Sequence, residues 1–174
     1  MKKLQIIMAI ALISFMFSCS DEKTPVDPDP EEKTIIELVS IEGTDITKSI
    51  SDLPEGETEV LISFHTTITN NSTTDLKLRA RMEIMALADG QYSYFCWGDI
   101  DKNEGTCYPP MTADYTSDRT MTVKAGETTP PGNFLQYFTS SNVEGGEGKI
   151  RYIVYEDGKE DNRDTIIYNL TVTK

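Results

Sequence analysis

Two neighbouring stretches of strict apolar–polar alternation constrain this fold more than any other feature of the chain. In residues 59–70, Val60, Ile62, Phe64, Thr66 and Ile68 share one side of an extended backbone, and Leu61, Ser63, His65, Thr67 and Thr69 share the other. In residues 76–87, Leu78, Ala80, Met82 and Ile84 alternate with Lys77, Arg79, Arg81 and Glu83. Successive side chains of a strand point to opposite faces, so each stretch makes a strand with one buried and one wetted side. The run Asn70-Asn71-Ser72-Thr73-Thr74-Asp75 has turn chemistry and joins them as a hairpin.

Further strands are expected at residues 35–41, 91–97, 116–124, 133–140, 149–156 and 164–173, with turns at Asp89-Gly90, Lys124-Ala125-Gly126-Glu127 and Glu156-Asp157-Gly158. Only residues 45–53 carry a helix-like pattern, and it is short. About seven to eight short strands at this spacing predict an all-β chain, an antiparallel β-sandwich of immunoglobulin-like type. A closed barrel is the other all-β solution. A chain of 174 residues has room for one such core and a tether.

The first residues read as an address. Met1-Lys2-Lys3 is a positive start, and residues 4–17 form an apolar run too short to span a bilayer, which takes about 20 residues. Ser18-Cys19 then supplies a small residue and a thiol that resemble a bacterial lipobox. Residues 1–18 are thus expected to be a lipoprotein signal peptide and Cys19 the lipidated residue, which makes the membrane a partner through a lipid anchor. Ser20-Asp21-Glu22-Lys23 resembles the acidic export signal of Bacteroidota lipoproteins, which implies an outer-membrane protein facing the cell exterior. Residues 19–33 continue as a tether in which prolines alternate with acids, extended and self-repelling. The globular domain is then residues 34–174.

With Cys19 lipidated, Cys96 and Cys107 remain as a disulfide pair, as an oxidising compartment allows. The formal charge of −13 opposes any nucleic-acid partner. Asp99, Asp101, Asn103 and Glu104 present oxygens at close spacing, but Glu104 stands where a calcium loop needs glycine and Pro110 where it needs a bidentate glutamate. No cofactor is expected beyond weak Ca2+ there. His65, the only histidine, comes opposite Arg79 or Arg81 in the hairpin register; with Lys77 they form a basic stripe suited to a carboxylate or sulfated sugar. Tyr92, Tyr94, Phe95, Trp97 and Tyr108 gather around the cysteine loop, and exposed aromatics stack on sugar rings or partner proteins. Alternation sets Tyr92 and Tyr94 against Phe95 and Trp97, so at least one pair belongs to the core. The acidic Glu144-Gly145-Gly146-Glu147-Gly148 would repel phosphate and reads as a hairpin connection. No nucleophile motif accompanies the lone histidine, so no catalytic residues are assigned.

Phe95-Cys96-Trp97-Gly98, Cys107-Tyr108-Pro109-Pro110, Ala125-Gly126-Glu127, Gly148-Lys149-Ile150-Arg151-Tyr152 with Tyr155, and Asp164-Thr165 recur in an order that resembles a small immunoglobulin-like domain of secreted and lipid-anchored Bacteroidota proteins. In that family the two cysteines lie closer together; here residues 99–106 lengthen the loop. Asp164-Thr165-Ile166 also resembles a Bacteroidota O-glycosylation site. The family brings no assigned chemistry. The sequence reading is therefore a non-enzymatic surface lipoprotein that binds or assembles, with a protein or glycan partner. A glycan-binding accessory of a polysaccharide-uptake system and a structural spacer are the alternatives.

Overall fold

The computed structural model describes residues 34–99, 104–141 and 145–174. Cys19, the leader and the tether lie outside the described residues, as do Asp101 and Asn103.

The described residues form eleven strands: β1 (Ile36–Ser40), β2 (Asp45–Ser49), β3 (Val60–Asn70), β4 (Leu76–Ala86), β5 (Gln91–Trp97), β6 (Thr106–Cys107), β7 (Tyr115–Thr116), β8 (Met121–Val123), β9 (Phe134–Ser140), β10 (Gly146–Glu156) and β11 (Lys159–Thr173). They form two sheets. One has the order β1-β3-β9-β5-β6; the other has β2-β11-β10-β4-β7, with β8 also paired to β4. The architecture is an immunoglobulin-like sandwich. It has more strands than expected because β2 and β6 are additional and the strand expected at 116–124 is divided into β7 and β8.

Alternation places the buried set correctly in the long strands: Val60, Ile62, Phe64 and Ile68 of β3 and Leu78, Ala80 and Met82 of β4 lie in the core. The hairpin between these strands does not form. β3 pairs with β1 and β9, whereas β4 pairs with β10, β7 and β8, so the 71–75 turn carries the chain from one sheet to the other. Both strands keep their apolar sides inward, but from opposite layers. The helix-like stretch opens as β2, which pairs in parallel with the end of β11 through Asn169↔Asp45 to Thr173↔Ser49; a single 3-10 turn, Ile50–Asp52, follows. The sandwich is therefore not wholly antiparallel. The strand expected at 116–124 is broken: Ser117, buried, exchanges hydrogen bonds with Ala80 and separates β7 from β8.

Aromatic rings fill the centre. Tyr152 of β10 meets Phe64, Phe95, Phe134 and Tyr168 with centroids 5.5–6.3 Å apart, near-perpendicular or steeply tilted as ring quadrupoles favour. Its hydroxyl lies 3.0 Å from Ser93 Oγ, and Tyr168 Oη lies 2.8 Å from Thr66 Oγ1, so the buried phenols are satisfied.

Gly146-Glu147-Gly148 opens β10 and is not a hairpin connection. Gly148 is required by its neighbour across the core: a Cβ there would lie 2.5 Å from Cε2 of the buried Phe138. Gly148→Ala is expected to cost about 1–3 kcal/mol, read as a lower urea midpoint, because the ring has no free space to yield into.

Candidate functional site

The outer face of the five-stranded sheet is unusual for a surface that meets solvent. Cross-strand register arranges its outward side chains in rows: Leu61, Thr139 and Tyr92; Ser63, Tyr137 and Tyr94; His65, Leu135 and Cys96. Tyr94 and Tyr137 stack with centroids 4.5 Å apart and planes 13° from parallel. Tyr92, Tyr94, Leu135 and Tyr137 are half-buried, and Leu61 is 44% exposed. On β1 the inward positions fall to Ile36 and Leu38. This leaves Ile35, Val39 and Ile41 exposed along the same edge.

The charge of this face is equally distinctive. None of its five strands contains a lysine or arginine; Glu37 and His65 are their only residues with charge-bearing side chains. Every strand lysine and arginine belongs to the six-stranded sheet. Glu59, just before β3, accepts a hydrogen bond from the Tyr92 hydroxyl. That bond, with partial burial, raises the Tyr92 phenol above its ordinary pKa. Burial, then the proximity of Tyr137 and Glu59, raises Tyr94 as well.

Three site expectations need correction. His65 does not join Arg79 and Arg81, because β3 and β4 lie in different sheets. Its Nδ1 is 2.5 Å from Glu42 Oε1, and its backbone N–H donates to Glu42 Oε2 at 2.7 Å. Partial burial pushes the Glu42 carboxyl upward, but the bonds from His65 outweigh it and hold the group below the usual carboxylate range. The arginines are engaged on the opposite outer face. Arg79 Nε is 2.6 Å from Asp157 Oδ1, Arg81 reaches Glu83 and Glu160, and Arg151 shares Glu83 at 3.1 Å. Arg81 also lies over the Tyr155 ring at 5.7 Å. They clamp β4 to β10 and to the β10–β11 turn instead of offering a free basic stripe.

Trp97 and Tyr108 are 1% and 5% exposed, so neither ring is presented to a ligand. Trp97 points inward against Phe134, and Tyr108 packs on Phe95 and donates to Asp118 at 2.7 Å. Burial and that hydrogen bond push the Tyr108 phenol up to about 12. Of the aromatic group, Phe95, Trp97 and Tyr108 are core, and Tyr92 and Tyr94 are the outward pair. Tyr137 completes the outward set and was not singled out in the sequence, although it alternates with the inward Gln136 and Phe138.

Cys96 and Cys107 form a disulfide between directly opposed residues of β5 and β6. In the loop they close, the Glu104 N–H donates to the Asp99 carbonyl at 2.9 Å. Among the described residues no three His, Cys, Asp or Glu side chains gather as a metal site. Thr165 is exposed on β11, and Asp164 accepts the Leu38 N–H at 2.8 Å through Oδ2.

No protein-family model matches the chain, and no curated protein matches it. Among solved structures it is similar to the N-terminal domain of PorA, with 15% identity and a TM-score of 0.50 over 78% of this chain and 97% of that one. It is also similar to a PapD-like domain of human CEP192, with 12% identity and a TM-score of 0.41 over 81% of this chain and 85% of that one. A third is the collagen-binding subdomain of the Enterococcus faecalis surface protein ACE, with 8% identity and a TM-score of 0.28 over 82% and 98%. The first likeness concerns the fold.

Proposed function

We propose that this chain is a non-enzymatic lipoprotein, anchored at Cys19 in the outer membrane and facing the cell exterior, whose sandwich binds a protein partner through the outer face of the five-stranded sheet. The lipobox-like Ser18-Cys19 and the acidic residues after it support the location. One observation carries the function: a solvent-facing sheet surface built from Tyr92, Tyr94, Tyr137, Leu61 and Leu135, without a single strand lysine or arginine. Aromatic side chains flanked by aliphatic ones have the composition of an interface centre. A protein is favoured over a glycan because Leu61 and Leu135 flank the rings with aliphatic surface, which apolar protein side chains match better than sugar hydroxyls do.

The test uses the full chain in cells, with a photoreactive amino acid at Leu61 on this face or at Thr165 on the opposite one. A discrete protein adduct from position 61, absent from position 165, is the expected result. An adduct only to polysaccharide would move the assignment to the glycan-binding alternative. No adduct from either position would leave a structural spacer. Intact mass of the extracted protein, with an acylated Cys19, checks the anchor separately.

A further inference from the structure

We infer that the row of Tyr92, Tyr94 and Tyr137, closed at one end by Glu59, receives a lysine or arginine side chain from the protein partner. This rests on the reading of that face as the binding surface.

The topology puts the necessary groups together. β3 and β5 both run antiparallel to β9, and Ser140 pairs with both Val60 and Gln91. The segments that lead into β3 and β5 therefore sit at the same end of the sheet. They bring Glu55, Glu57, Glu59 and Asp89, all exposed, to that end. Tyr92 fixes the Glu59 carboxylate beside the rings by donating its hydroxyl hydrogen bond. Lys48, a nearby cation, donates an ammonium hydrogen bond to the Leu61 carbonyl at 2.9 Å, and His65 is held by Glu42.

The chemistry selects one class of ligand side chain. A tyrosine ring attracts cations to its face, and a carboxylate within reach adds a charge-assisted hydrogen bond. An anionic ligand would meet Glu59 together with the exposed Glu55, Glu57 and Asp89, against which Lys48 of β2 sets a single positive charge at the Leu61 carbonyl. Arginine fits best, since its planar guanidinium can lie on an aromatic ring while its N–H groups point to a carboxylate in the same plane. Leu61 and Leu135 on the flanking rows give the partner's neighbouring residues apolar contacts. The partner is thus a protein surface with a cationic side chain among apolar ones.

The experiment labels the full chain, in detergent, with 3-fluorotyrosine and follows the rings by 19F NMR. Resonances are assigned through single Tyr→Phe variants. The probes are acetyl-Leu-Arg-Leu-amide and the same peptide with citrulline, which keeps the shape and removes the charge. The arginine peptide is expected to shift Tyr92, Tyr94 and Tyr137 and to bind at least about threefold more tightly than the citrulline peptide. Glu59→Gln, which retains an acceptor for Tyr92, should abolish that preference. Equal binding of the two peptides would overturn the cation site and leave the binding face standing. No ring shift with either peptide, while position 61 still crosslinks a cellular protein, would also overturn the cation site alone. No shift together with no crosslink would overturn both readings. Ring shifts that grow with protein concentration before peptide is added would make a second copy the occupant and sink the inference.

Discussion

Replacing Tyr152 with alanine is expected to lower the stability of the domain by about 3–5 kcal/mol, seen as a large fall in the urea midpoint of the full chain. Tyr152 is fully buried and is the ring that touches both sheets' aromatic sets, with Phe64, Phe95 and Phe134 on one side and Tyr168 beside it. Alanine would remove all four ring contacts and leave a cavity that the surrounding rings cannot close without leaving their rotamers. Tyr152→Phe separates packing from hydrogen bonding. It keeps the ring, loses only the bond to Ser93, and should cost about 1 kcal/mol. A phenylalanine variant as unstable as the alanine one would show that the hydroxyl network, and not ring packing, holds the two layers. Typical domains are stable by only about 5–15 kcal/mol, so the alanine variant should be partly unfolded at moderate temperature.

Removing the Cys96–Cys107 bridge, by Cys96→Ala with Cys107→Ala or by reductant, is expected to cost about 2–3 kcal/mol. The two cysteines are 11 residues apart, and the bridge limits the unfolded chain over that loop. The loss should be concentrated at one edge, because β6 is the outermost strand of its sheet, held to β5 through Cys96↔Cys107 and Trp97↔Thr106 and, just beyond it, through the bonds of Tyr108 to Phe95 and of Met111 to Ser93. Hydrogen exchange after reduction should rise for β6 and the residues around it while β3, β9 and β10 remain protected. Uniform loss of protection across both sheets would mean that the bridge supports the whole sandwich and not its edge.

The sequence revealed much of the layer structure and little of the pairing. β3 is legible to within a residue because it alternates cleanly and ends at a turn, whereas β5 and β9, with Gln91, Ser93 and Gln136 on the buried side, are legible from their spacing and bounding turns. Alternation reports which side of a strand is buried, but not which strand lies beside it, so it does not tell a β3–β4 hairpin from the change of sheets that the chain makes between them. β2 was missed because Ile46, Ile50 and Leu53 have helical spacing, while its strand identity comes from parallel bonds to residues 169–173, far along the chain. The same limit governs the site. Tyr92 and Tyr94 were separable from Phe95 and Trp97 by alternation, yet sequence alone could not say which pair faced out. Tyr137 entered only when β9 was seen beside β5. His65 and the arginines come together only in a hairpin register, and β3 and β4 belong to different sheets.

Residues 36–49 have a mechanical consequence. Within this short span the chain contributes β1 to one sheet and then β2 to the other, and Asp164 of β11 accepts the amide N–H of Leu38 within β1. A pull on the segment before Ile36 is first resisted by the five-pair ladder of β1 with β3. Peeling β1 away does not free the chain, because the parallel ladder of β2 with β11 holds the next segment to the opposite layer. Load applied at this end thus meets the two layers one after the other, β1 on one sheet and then β2 on the other.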